Sequence, residues 1–197
     1  MAKFLLPEVP LHHLGKRVAL SRNLAKFFLR VTGWRVTGRM PEQRRIILIV
    51  GPHTSNWDFV YGLSAAMAMN VNIHWLGKHT LFRQPLTLLM NWLGGIPVDR
   101  SRPQGVVEQV ADKIRRAESM ALIITPEGTR SRVAKWKTGF LRITTMSDSV
   151  MMVTAVDYAK KVIDLGEVLI PSGDAEADIQ YIQRCFARAT PKHSHNR

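Results

Sequence analysis

Three shortages limit what this chain can be. Its 197 residues include a single cysteine, Cys185, which excludes an internal disulfide framework and any multi-cysteine metal site. A lone thiol suits a reducing compartment. Long hydrophobic runs are also missing. The longest mainly apolar stretch, 85–98, is broken by Thr87 and Asn91 and carries Gly94, Gly95 and Pro97 near its end. It falls short of the roughly 18–20 uninterrupted apolar residues of a spanning helix. At the N-terminus, Phe4, Leu5 and Leu6 stop at Pro7 and Glu8, so no secretory leader is expected. The third shortage is of acids: 15 Asp and Glu stand against 28 Lys and Arg, a formal net charge of +13. That excess implies a polyanionic partner, either nucleic acid or an anionic membrane surface. With 46% hydrophobic residues, the chain is long and apolar enough for one globular domain and is not a disordered tail.

The position of the charge narrows the choice. Residues 1–45 hold 10 basic residues and two acids, and the last 14 hold four basic residues and no acid. The stretch 46–183 is left with a net charge of only +1. The core is therefore balanced, and it lacks the aromatic–basic motifs and zinc-finger spacings of nucleic-acid-binding modules. A non-catalytic nucleic-acid-binding protein stays the remote alternative, and the partner expected is an anionic membrane surface.

Residues 12–32 read as a helix with an apolar face (Leu14, Val18, Leu20, Leu24, Ala25, Phe27, Phe28, Leu29, Val31) opposite Arg22, Lys26 and Arg30. The pattern fits an interfacial helix in the headgroup region equally with a core helix whose basic face is solvated. Further on, buried strands are expected at 46–50, 73–76, 121–125 and 150–156, with helices at 58–69, 104–118 and 174–189. Strands alternating with helices give an α/β fold. The expected architecture is a single domain with a mixed, largely parallel sheet flanked by helices and preceded by an amphipathic N-terminal helix. Its parts are a basic helix region 1–33, an α/β domain 34–190 and a polar tail 191–197. The five tryptophans are expected mostly in the core, with Trp92 the one candidate for a membrane interface.

Two segments carry chemistry at strand ends, where functional groups of open α/β sheets gather. In 53–58 (HTSNWD), His53 precedes Asp58 by five positions in a strand-to-helix turn. The carboxylate can accept the Nδ1 proton, leaving Nε2 as a base for a hydroxyl. The alternative makes Asp58 a helix N-cap beside an ordinary loop histidine. In 125–131 (TPEGTRS), Arg130 can grip a phosphate, Glu127 can orient hydroxyls or hold the arginine, and Gly128 admits close backbone approach. The alternative there is a turn with a structural Glu–Arg pair. Segment 94–100 (GGIPVDR) adds glycines and a second cation, Arg100, and 135–140 (KWKTGF) adds further basic residues.

In this order and spacing the segments resemble the glycerolipid acyltransferase family, whose best-known members are lysophosphatidic acid acyltransferases. His53 and Asp58 match the family's HX4D motif. Residues 94–100 match its glycine–hydrophobic–aspartate–arginine motif, 126–131 match its PEGTRS block, and 137–140 resemble the lysine–glycine–aromatic element that follows. The likeness runs from about Trp34 to Tyr158. The sequence departs from the family at Pro52, where Asn is usual, and in 149–156, which lacks the prolines of the fourth motif.

The resemblance implies an O-acyltransferase working in a ternary complex. His53 would deprotonate an acceptor hydroxyl, Asp58 would hold the imidazole ring, and the hydroxyl would attack an acyl thioester. Glu127, Gly128, Thr129 and Arg130 would bind the acceptor headgroup, with Arg100 on its phosphate. The donor would be acyl-CoA or acyl carrier protein, and the acceptor a lysophospholipid such as 1-acyl-glycerol-3-phosphate. A lyso-aminolipid is the alternative acceptor. No metal or organic cofactor is expected. The expected location is peripheral, on the cytoplasmic face of the inner (plasma) membrane. A covalent acyl-enzyme is disfavoured, because Cys185 lies in no motif and no GxSxG elbow is present.

Overall fold

A computed structural model describes residues 5–99, 105–129 and 136–193. The strands are β1 (Arg35–Gly38), β2 (Arg45–Gly51), β3 (Ile73–Lys78), β4 (Gly95–Val98), β5 (Met120–Ile124), β6 (Val150–Asp157) and β7 (Val162–Leu169). The helices are α1 (Ala19–Thr32), α2 (Asn56–Met69), α3 (Thr87–Trp92), α4 (Val106–Arg116), α5 (Gly139–Met146) and α6 (Ala175–Ala187). Among the described residues these strands make one sheet in the order β1-β7-β6-β2-β5-β3-β4. Neighbours from β6 through β4 are parallel, while β7 returns antiparallel to β6. The mixed, largely parallel α/β sheet expected from the sequence is therefore the fold.

Alternation along the central strands sorts the core into two layers. Ile46 and Leu48 of β2, with Met152 and Val156 of β6, pack against Ala25 and Leu29 of α1 and Ala65, Ala66 and Met69 of α2. Ile47 and Ile49 of β2, with Met151 and Val153 of β6, face Val110 and Ile114 of α4, Phe140 of α5, and Ile182 and Phe186 of α6. Both faces of β2 are buried, which is why its sequence is a continuous apolar run rather than an alternating one.

Several boundaries differ from expectation. The first long helix begins at Ala19, not at residue 12. Upstream, Leu11–His13 form one 3-10 turn, and Leu14 bridges to Val71 while Gly15 N donates to Asn70 O at 2.6 Å. Backbone groups committed to that pairing cannot serve a helix. Strands β1, β4 and β7 and helix α3 were not expected, whereas α5 is the helix expected after segment 135–140. Strand β1 has only four residues, and β7 is interrupted by Asp164, Gly166 and Glu167, so neither shows a clean period. Trp34 is buried as expected and Trp92, the tryptophan set apart from the core, is 50% exposed, but Trp57 also stands 45% exposed.

The apolar face of α1 divides in two. Ala25 and Leu29 enter the core, whereas Leu20, Leu24, Phe27 and Val31, spaced i, i+4, i+7 and i+11, lie exposed along a separate stripe. On α3, Leu86 at the N-cap together with Leu88, Leu89 and Trp92 is also exposed. Arg17 ties the segment before α1 to that helix, its guanidinium carbon 5.1 Å from the Trp92 ring centroid. Among the described residues no helix is long and apolar enough to cross a membrane.

Candidate active site

Adjacent parallel strands end side by side, so the loops after β5, β2 and β6 meet at one sheet edge. The first loop contributes Glu127, the second His53, and the third Tyr158. Gly51 closes β2, and a Cβ there would come within 2.3 Å of the Phe186 ring on α6. Only glycine lets α6 pack beneath the turn that carries His53.

Helix α2 begins at Asn56, two residues earlier than the sequence suggested. Ser55 is its N-cap, its hydroxyl accepting from Trp57 N at 3.2 Å, and Asp58 is the third helical residue. The Asp58 carboxylate accepts the Ser55 amide at 2.8 Å, completing a capping box. The N-cap is therefore Ser55 rather than Asp58, and Asp58 combines its capping-box role with partnership to His53.

Asp58 is buried and fully engaged. Its Oδ2 accepts from Thr54 N and Ser55 N, each at 2.8 Å, and lies 3.1 Å from His53 Nδ1. Its Oδ1 accepts from the Tyr158 hydroxyl at 2.7 Å. Burial pushes the Asp58 carboxyl pKa up, but the hydrogen bonds from His53, Tyr158 and the Ser55 amide outweigh it and hold the group below the ordinary carboxylate range. The ionised carboxylate fixes the proton on Nδ1 and leaves the Nε2 lone pair free for an incoming proton. Tyr158 is shifted the opposite way, by burial and by its bond to Asp58, so it remains a donor throughout the working pH range.

Glu127 is turned inward. Its Oε2 accepts the His53 amide at 3.0 Å, and burial raises its pKa although the His53 amide opposes the shift. The amides of residues 53, 54 and 55 are thus all committed to carboxylates. None of the three is free to receive an oxyanion in this arrangement.

A cavity of about 770 Å³ starts at His53 and Asp58 and continues between α2 and the sheet. Its walls include Leu48 and Val50 of β2, Ala66 and Met69 of α2, and Ile163 and Leu165 of β7. Gly128 and Thr129 line it as well, bringing the 125–129 segment to the same space as His53. Arg100 and Arg130 lie outside the described residues. Gly94 has φ +85° and uses the tight approach that glycine allows to bring its backbone against β3, where a Cβ would meet Ile73 O at 2.0 Å. In segment 135–140, Phe140 belongs to the core on the sheet's opposite face. Among the described residues no cluster of three or more His, Cys, Asp or Glu side chains could hold a metal.

Tyr158 is the site residue that sequence reasoning missed. It lies 100 positions from Asp58, so no local spacing reveals the pair. The one available signal was a polar aromatic directly after a buried strand, at the edge where the other motifs end. The C-terminal segment also reaches this edge: Thr190 O accepts Tyr158 N at 2.9 Å, His193 N donates to Thr54 Oγ1 at 3.3 Å, and Lys192 Nζ sits 4.8 Å from the Trp57 ring centroid.

Comparison with known proteins gives a family and a fold neighbour. Residues 10–157 match the family model described as Acyltransferase. The fold is similar to that of the 1-acyl-sn-glycerophosphate (LPA) acyltransferase PlsC from Thermotoga maritima, with a TM-score of 0.63 and 16% identity, covering 86% of this chain and 76% of that one. No curated protein matches the chain.

Proposed function

The chain belongs to the acyltransferase family, and on that premise we propose that it moves a fatty acyl group from an acyl thioester to the hydroxyl of a lysophospholipid. Acyl-CoA or acyl carrier protein would be the donor, and 1-acyl-glycerol-3-phosphate is the first acceptor to test, following the activity named for the Thermotoga maritima enzyme. The observation that carries this reading is the placement of the His53–Asp58 pair at the head of an apolar cavity sized for a hydrocarbon chain.

In the proposed reaction, His53 Nε2 takes the acceptor's hydroxyl proton as the oxygen attacks the thioester carbonyl. The imidazolium is stabilised by Asp58, whose negative charge is itself held in place by Tyr158 and two loop amides. Collapse of the tetrahedral species breaks the C–S bond, leaves a new C–O ester bond, and returns the proton from His53 to the departing thiolate. The pair's geometry and the depressed Asp58 pKa support general-base catalysis. Arg100 and Arg130 are proposed to hold the acceptor phosphate as paired guanidinium groups.

The exposed stripe of α1, with Leu88, Leu89 and Trp92 of α3, supports peripheral docking on an anionic membrane. The basic residues concentrated in 1–45 would add about 1 kcal/mol each close to such a surface. The cytoplasmic face of the inner membrane is the side proposed, because the donor thioesters are made there.

Transfer of labelled acyl groups from both donor types to a panel of lysolipids, with lyso-aminolipids included, tests the reading. Wild-type protein should acylate at least one phosphate-bearing acceptor. Undiminished transfer by His53→Ala would remove the assigned base, and faster acylation of acceptors lacking phosphate would reassign the arginines.

A further inference from the structure

Thr154 is an anomaly in an otherwise apolar wall. It lies on β6, is 3% exposed, and lines the cavity, yet among the described residues its Oγ1 has no hydrogen-bond partner. Its cross-strand neighbours are Val50 of β2 and Leu165 of β7, both lining the same cavity. Along β6, Met152 and Val156 belong to the core layer shared with α2, while Val153 belongs to the opposite layer. Alternation therefore directs the Thr154 side chain toward α2 and into the cavity.

A buried hydroxyl without a partner is unfavourable. Valine has the same shape and no such penalty, so a cavity built only for unsubstituted hydrocarbon gains nothing from threonine here. The hydroxyl becomes useful when whatever fills the cavity brings a hydrogen-bonding group of its own.

We propose that the cavity takes a fatty chain bearing a hydroxyl near its carbonyl end, and that Thr154 Oγ1 is the hydrogen-bond partner of that hydroxyl. The position follows from register. Thr154 pairs with Val50, three residues before His53, and a strand advances about 3.3 Å per residue, so the two lie within about 10 Å along the strand. The substituent therefore sits in the carbonyl-proximal part of the chain, and 2-hydroxy and 3-hydroxy chains are the first to test. This assignment rests on the acyl-transfer reading for what becomes of the chain, but not for its binding.

Two measurements separate the two claims. The first is equilibrium displacement of a fluorescent fatty acid from the full-length protein by 2-hydroxy, 3-hydroxy and unsubstituted fatty acids of equal length. One of the hydroxylated acids should bind more tightly than the unsubstituted one, by on the order of tenfold. Thr154→Val should abolish that preference and Thr154→Ser should retain it. The second is the ratio of kcat/KM for hydroxyacyl against plain acyl chains, carried on the donor in one arm and on the lysolipid in the other. The arm in which the ratio collapses in Thr154→Val identifies whose chain occupies the cavity. Equal binding of all three acids by the wild type, or a preference that survives Thr154→Val, would overturn the proposal. A Thr154-dependent binding preference in a protein that transfers no acyl group would keep the proposal and defeat the acyltransferase reading.

Discussion

Replacing Tyr158 with phenylalanine removes one oxygen from the site and tests how the His53–Asp58 pair is held. The ring should stay in place, because it packs edge-on to Trp34 with centroids 4.9 Å apart and edge-on to Tyr61 at 6.1 Å. What disappears is the 2.7 Å donation to Asp58 Oδ1. Hydrogen bonds to a charged group contribute about 1.5–3 kcal/mol. If that amount is realised in orienting the carboxylate against the developing imidazolium, kcat should fall roughly 10- to 150-fold. KM should change little, since Tyr158 is not among the residues lining the cavity. The pH dependence should shift as well. Tyr158 is one of the groups holding the Asp58 pKa below its ordinary 3.8. Its loss lets that pKa rise, so acid inactivation should begin at a higher pH in Tyr158→Phe than in wild type. Initial rates across acceptor concentration and pH, with thermal melting as the folding control, make the measurement. A folded variant with kcat within about twofold of wild type, or with a loss confined to KM, would show that Tyr158 does not position the pair.

Other perturbations have equally definite outcomes. His53→Ala should lower kcat by on the order of 10²–10⁴, as expected for loss of a general base, and should also lower the melting temperature, because buried Asp58 loses its His53 partner. Asp58→Asn should cost both activity and stability at neutral pH. Because the folded Asp58 pKa is depressed, its stabilisation is fully present above 3.8 and is lost as pH falls through the folded value, so melting curves of variant and wild type should converge in acid. Glu127 is shifted the other way, so its ionised form destabilises the fold as pH rises from 4.5 through the raised value. Glu127→Gln, which keeps an acceptor for the His53 amide, should therefore gain melting temperature relative to wild type as pH increases. For membrane docking, Leu24→Asp and Phe27→Asp alter the exposed stripe of α1 without touching Ala25 or Leu29. At about 2 kcal/mol per buried apolar side chain, each should weaken binding to anionic vesicles by roughly 30-fold, read by vesicle sedimentation. Unchanged binding in both would place the docking surface elsewhere.

Much of the site was legible because its main parts are local in sequence. His53 and Asp58 are five positions apart across a strand-to-helix turn, and one turn of helix is enough to bring them together. The 125–129 segment was legible for a similar reason, since it follows a five-residue apolar strand, β5, whose direction is set by the parallel sheet. The inward turn of Glu127 toward the His53 amide could not be read. It depends on β5 and β2 being neighbours, a fact of strand order rather than of either segment. The split face of α1 was hidden for a related reason. Periodicity marks which residues are apolar, but only docking against α2 decides that Ala25 and Leu29 are covered while Leu24 and Phe27 are not.

By itself, the sequence determined the α/β class, the chemistry available at two strand ends, and the concentration of basic charge in the terminal regions. Each of these rests on neighbours within one or two turns of chain, where hydrophobic period and side-chain type are enough. The tertiary structure alone decided the Tyr158 support of the His53–Asp58 pair, the course of the cavity, and the lone hydroxyl in its wall. Tyr158 reaches Asp58 only because β6 lies beside β2 and runs parallel to it. Thr154 meets the cavity only because that same pairing sets it opposite Val50. Contacts of that kind come from strand order and register, which long-range packing selects and no short stretch of sequence contains.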